Sequence, residues 1–149
     1  MINKEFSAPD IAFGSAVTLN QKLANVSNTD QRRLKISLAH SQLEIEEAQR
    51  LRYKVFAEEM GAQLLGTGGL DVDGFDQYCD HLIVRDISTN QVIGTYRILS
   101  PEKADEAGGY YSAAEFDLSR ISHLSDRTVE VGRACVHQNY RNGGTITML

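Results

Sequence analysis

The residues from Thr128 to Gly144 carry the densest chemistry in this 149-residue chain. Val129 to Val136 is strand-like, and it carries Glu130 and Arg133 around Gly132. The chain then turns through His137–Tyr140 into Arg141-x-x-Gly144, where a helix can begin. A strand that delivers unpaired backbone N–H groups into a helix N-terminus forms an anion site, so Arg141, Gly143 and Gly144 are candidate phosphate-binding residues. Upstream, Asp71, Asp73 and Asp76 gather in a glycine-rich loop. A calcium loop of the EF-hand type fails here, because Phe75 and Asp76 stand where an acid or Asn and a Gly are required. Cys135 and His137 share a strand face and make a Cys–His nucleophile conceivable, but a buried structural cysteine is the simpler reading. His40, His81 and His123 have no metal-like spacing, and no metal is assigned.

Composition sets outer bounds. A hydrophobic content of 42% suits one folded domain. A net charge of −5 argues against a general nucleic-acid binder. The two cysteines, Cys79 and Cys135, form no metal or redox spacing and fit a reducing compartment. With no bilayer-length apolar run and no secretory signal pattern, the expected location is the cytoplasm or the inner membrane surface.

The elements that must position these residues follow from periodicity. Residues 1–33, rich in Asn, Ser, Thr and Ala, read as a mobile leader. Leu34, Ile36 and Leu38 alternate as in a strand. Ser41 with Glu44 is a capping-box pair, and Ala48, Leu51 and Val55 give the following helix one apolar stripe that Gly61 should end. A loop runs from Gly61 to Tyr78, and a hairpin pairs His81–Arg85 with Val92–Leu99 through Thr89-Asn90. Pro101–Gly109 reads as a second polar loop, and Tyr110–Leu118 as a docking segment held by Tyr111, Phe116 and Leu118. The order predicts an α+β domain with a mixed, mostly antiparallel sheet flanked by helices.

Several blocks in this order are similar to a known group: Leu51-Arg-Tyr-Lys-Val-Phe56, Asp71-x-Asp73-x-x-Asp76, Cys79-Asp-His-Leu-Ile-Val84, Gly94-Thr-Tyr-Arg-Ile-Leu99, Tyr111-Ser-Ala-Ala-Glu-Phe116 and Glu130-Val-Gly-Arg133. With Arg141-Asn-Gly-Gly-Thr-Ile146 they resemble the Gcn5-related N-acyltransferases. Within that superfamily they look like the ornithine Nα-acyltransferases of lyso-ornithine lipid synthesis and, more loosely, the acyl-homoserine-lactone synthases. Ile146 departs from the small residue that the superfamily's phosphate loop carries there. The resemblance implies transfer of a 3-hydroxy fatty acyl group from acyl carrier protein, through its acyl-phosphopantetheine thioester, to the α-amine of ornithine or a related amino acid. It implies no bound cofactor. A homoserine-lactone synthase would instead use S-adenosylmethionine, and the lack of any tryptophan argues against it. A degenerate module that only binds the carrier is the non-catalytic alternative.

That chemistry assigns candidate roles. An amino acid's amine is mostly protonated at neutral pH, so a carboxylate at the site helps remove its proton. Glu130 is the leading candidate; alternatively it pairs with Arg97 or Arg133. Glu130 and Arg133 face opposite sides of a regular strand, and a bulge near Gly132 would bring them together. Arg97 either grips a substrate carboxylate in a forked pair or locks two strands in a salt bridge. Asp71, Asp73 and Asp76 either attract the distal ammonium of ornithine or form a solvated acidic loop. Arg52 and Phe56 share a helix face and in the resemblance lie on the donor side, although Phe56 alone reads as core. Arg50, Arg52 and Lys54, extended by Arg32, Arg33 and Lys35, make the basic concentration where an acidic carrier protein would dock. The superfamily's domain normally continues past this phosphate loop, so residues 34–149 are expected to be its N-terminal portion, with an exposed edge at Val129–Val136.

Overall fold

The computed structural model describes residues 34–149 apart from positions 65, 67, 142–144, 146 and 148. The leader, Arg32, Arg33, Gly143 and Gly144 therefore lie outside the described residues. Four strands form one antiparallel sheet in sequence order: β1 (Leu34–Leu38), β2 (Asp80–Asp86), β3 (Gln91–Leu99) and β4 (Glu130–Val136). The hairpin between β2 and β3 turns at Asn90, whose φ of 57° is the left-handed conformation such turns favour. Within the described residues β4 is an edge, and Val131 is 57% exposed on it.

Helix α1 (Gln42–Tyr53) packs across β3 and β4. Its start follows the capping logic: the Ser41 hydroxyl accepts the Glu44 N–H at 3.3 Å, and the Glu44 carboxylate accepts the His40 N–H at 2.8 Å. That backbone hydrogen bond holds the Glu44 carboxyl below its ordinary pKa. Leu51 and Val55 from the apolar stripe meet Cys135 of β4, with Phe56 and Val92 packed around them. Beyond Tyr53 the helix widens into a π-helical stretch, Lys54–Glu59, and Gly61 at φ 73° ends it.

Two sequence expectations are corrected. Pro101–Gly109 is not a loop: α2 (Pro101–Ala107) is a helix with the Ser100 hydroxyl accepting the Lys103 N–H and with Gly108 closing it at φ 87°. Pro in the first turn and Gly just past the end were the signal, outweighed by the segment's polarity. The segment after it is not docked by Phe116, which is 69% exposed. Its 3₁₀ turn, Tyr111–Ala114, is held instead through its backbone and by Tyr110, whose hydroxyl donates to the carbonyls of Ser125 and Thr128. No helix among the described residues is long and apolar enough to cross a membrane.

Removing the cap hydroxyl tests the origin of α1. Ser41→Ala should lower stability by about 1 kcal/mol, read in urea titration as a lower midpoint with an unchanged slope.

Candidate active site

The site is organised by an irregularity in β4. Thr95 pairs with Cys135 and Arg97 with Gly132, so two steps along β3 face three along β4. The extra residue is absorbed at Arg133, whose φ of 55° is left-handed and costly for a side chain with a Cβ. The expected bulge exists, centred one residue past Gly132. It brings Glu130 and Arg133 to the wall of one small cavity of about 80 Å³, with Arg97, Phe75, Cys79 and Tyr111. The two do not pair.

Glu130 also pairs with neither Arg97 nor any other arginine. Its carboxylate accepts the backbone N–H of Tyr111 at 2.8 Å and of Ser112 at 2.9 Å, one on each oxygen. This fixes the Tyr111 ring at the cavity mouth, edge-on to Phe75 with centroids 5.5 Å apart. Sequence reasoning missed both aromatic rings, which are contributed by loops whose approach to β4 no local pattern reveals.

The three aspartates are not a solvated acidic loop. They interlock with three arginines beneath it. Arg52 is wholly buried, with Nε 2.9 Å from Asp71 Oδ2 and Nη2 2.8 Å from Asp76 Oδ1, and it also donates to the Asp71 carbonyl. Arg97 Nη1 lies 2.5 Å from Asp73 Oδ1 and 3.2 Å from Asp76 Oδ1. Arg133 Nη2 lies 3.4 Å from Asp71 Oδ1 and 3.5 Å from Asp73 Oδ2. Arg52 therefore has no surface to offer a partner protein and drops out of the expected basic docking patch. Arg97 engages loop carboxylates rather than locking β3 to another strand.

Electrostatics follow from this packing. Burial opposes ionisation of Asp73, but the Arg97 hydrogen bond and charge outweigh it and hold the carboxyl below its usual range. Burial pushes the His81 pKa down, leaving a neutral ring. Its Nε2–H donates to the Asp76 carbonyl at 3.2 Å, which leaves Nδ1 to accept from Arg52 at 3.5 Å. The 3.7 Å approach of His81 to the Asp76 carboxylate is thus not a full ion pair. Arg133 adds one loose end: its Nε is buried and has no hydrogen-bond partner among the described residues.

The remaining candidates separate from this cluster. Phe56 is half-buried core and also lies under the Arg133 guanidinium, 5.7 Å from ring centroid to Cζ. Arg141 donates from Nε to the Val136 carbonyl at 2.9 Å and pairs with Glu59, tying the end of β4 to the π-helical stretch. Burial pushes the Cys135 thiol up to about 12, and His137 contacts Lys54 and Asn139 instead, so no Cys–His nucleophile forms.

Residues 51–149 match the acetyltransferase (GNAT) domain family. The chain belongs to that family. It is 39% identical over 144 residues to the L-ornithine N(alpha)-acyltransferase of Rhizobium meliloti (strain 1021), covering 90% of this chain and 47% of that protein. It is 41% identical over 126 residues to the enzyme of the same name from Brucella abortus (strain 2308), covering 78% and 45%. The chain thus spans about half the length of these curated relatives. The crystal structure of the AHL synthase LasI superposes with a TM-score of 0.52 at 17% identity, covering 77% of this chain and 60% of that one, and shares the fold.

Two outcomes test the network. Arg52→Met should destabilise by about 3–5 kcal/mol, because it strands buried Asp71 and Asp76; Arg85→Met, which breaks a partly exposed pair with Glu47, should cost under about 1 kcal/mol in the same melts. Because the folded-state pKa of Asp73 is depressed, its stabilisation is present above the unfolded value of 3.8 and is lost as pH falls through the lower folded value. Asp73→Asn should therefore flatten the acid limb of stability below about pH 4, measured by urea melts across pH.

Proposed function

We propose that this chain carries the amine-activating part of an N-acyltransferase that moves a 3-hydroxy fatty acyl group from acyl carrier protein to the α-amine of ornithine, giving lyso-ornithine lipid. The observation that carries the reading is the meeting of Glu130, Arg133 and Arg97 around one cavity at the β4 bulge. The names of the relatives support the acceptor, and the carrier-bound donor is inferred from the motif resemblance. The reaction is placed in the cytoplasm or at the inner membrane surface.

The step requires that an ammonium lose a proton before its lone pair attacks the thioester carbonyl. A C–N bond forms, the C–S bond breaks, the thiol leaves with a proton, and one proton is released overall. Glu130 is the group assigned to take the first proton. Each oxygen already accepts one N–H, which aims the carboxylate and leaves lone pairs free. The unpartnered Nε–H of Arg133 is the donor assigned to the developing oxyanion or to a substrate carboxylate. Among the acids Asp73 is the most exposed, at 16%, and is assigned the distal ammonium of ornithine, shared with Arg97. Asp71, Asp76 and Arg52 hold that arrangement from beneath.

Glu130→Gln keeps an oxygen for one of the two amides and removes the base. It should lower kcat by roughly 10²–10⁴-fold with a small change in KM for ornithine, in an assay that follows acyl-ornithine by mass spectrometry with 3-hydroxyacyl carrier protein as donor. Activity within a few-fold of wild type would remove Glu130 from the base role. Product with glycine but none with ornithine would overturn the acceptor.

A further inference from the structure

On the side of α1 away from this cavity lies an open groove of about 530 Å³, whose walls include Arg50, Lys54, Asn90, Gln91, Val92 and His137. Its floor contains a hydrogen-bonding conflict. Lys54 Nζ lies 3.0 Å from His137 Nε2, while the backbone N–H of Asn139 donates to His137 Nδ1 at 3.3 Å. An ammonium donating to Nε2 requires that nitrogen to be bare, and the Asn139 N–H requires Nδ1 to be bare. A neutral imidazole has only one bare nitrogen, and a protonated one has none. One donor is left facing another whichever tautomer forms.

The geometry points to an anion site here: Lys54 Nζ and His137 Nε2–H together bind a phosphate oxygen, with Arg50 at the rim, and the phosphate is that of a phosphopantetheine arm. An oxygen between the two donors lets both point at an acceptor, while Nδ1 keeps its bond to Asn139. The location suits an arm that runs along β4. His137 directly follows Val136, the end of the strand whose bulge forms the reaction cavity, and Arg141 is anchored to the Val136 carbonyl beside it. Lys54 opens the π-helical stretch that carries Phe56. Assigning the phosphate to a pantetheine arm rests on the acyl-transfer reading; the anion site itself does not.

The charges around His137 set the pH dependence. Burial lowers its pKa, the Lys54 and Arg141 cations lower it further, and Glu59 opposes them. Arg50, Glu47 and Glu58 face the same groove, with Glu47 already engaged by Arg85. An anion arriving between Lys54 and His137 adds negative charge and favours the imidazolium, so binding takes up protons and strengthens as pH falls.

The test is calorimetric titration of the 149-residue chain with 4′-phosphopantetheine, pantetheine and inorganic phosphate at pH 6 and pH 8. Phosphopantetheine should bind about tenfold more tightly than pantetheine at pH 6, and this preference should shrink at pH 8. Lys54→Met and His137→Gln should each remove most of the preference while pantetheine affinity stays constant. Equal affinity for phosphopantetheine and pantetheine, or a preference that survives both substitutions, would overturn the site. Inorganic phosphate binding as tightly as phosphopantetheine would overturn the pantetheine assignment. Failure of the acyl-transfer reading shows separately, as no acyl-ornithine product from a chain that still prefers phosphopantetheine.

Discussion

The rest of the structure depends on one buried guanidinium. Arg52 projects from α1 with no exposure to solvent, and an arginine in that position keeps its charge and must find acceptors for its donors. No neighbouring strand supplies them. The loop after the helix does, through Asp71 and Asp76. A glycine-bearing segment is thereby drawn down over α1 and β2, and the Asp71 N–H bonds the Gln49 carbonyl at 3.1 Å to complete the attachment. Once Asp76 is fixed it also receives Arg97, and Asp73 follows at the outer end. Desolvation opposes burying so many charges, so what the network contributes is position more than stability.

The second constraint is the extra residue in β4. A regular strand would send Glu130 and Arg133 to opposite faces. The left-handed turn at Arg133 redirects its guanidinium toward Asp71, Asp73 and the Phe56 ring, while Glu130 reaches the turn at Tyr111. The backbone strain at Arg133 is sustained by ion pairs that the Arg52 network has already placed. Bulge and loop thus form one device, and the cavity between them exists only when both are in place.

Much of the framework was legible in the sequence. The stripe Ala48, Leu51, Val55, the cap at Ser41 and the Asn90 turn each obey local rules, and all three occur. The candidate residues were legible as a set because their blocks follow a family pattern. Their partners were not. Nothing local in Leu51-Arg-Tyr-Lys-Val-Phe56 shows that Arg52 is sealed while Lys54, two residues on, borders a groove; that depends on where a loop some twenty positions away lands. Glu130 was misread in its partner for the same reason, because backbone amides of a distant turn carry no side-chain signature. The α2 helix is a different failure, since its proline and glycine signals were present and its polarity masked them.

The arginines and aspartates form a gradient as well as a network. Side-chain exposure rises from 0% at Arg52 through 5% at Arg97 to 25% at Arg133, and from 2% at Asp71 through 7% at Asp76 to 16% at Asp73. Interactions at the sealed end act in a low effective dielectric and hold their partners firmly, whereas those at the open end are weakened by water. The contacts also lengthen outward, from 2.8 and 2.9 Å at Arg52 to 3.4 and 3.5 Å at Arg133. A charged substrate that enters the cavity therefore competes with the longest and wettest ion pairs and leaves the buried ones untouched. Because Arg133 also holds the unsatisfied Nε, it has a donor to offer without surrendering either carboxylate. The asymmetry lets one cluster serve as scaffold at its base and as binding surface at its mouth.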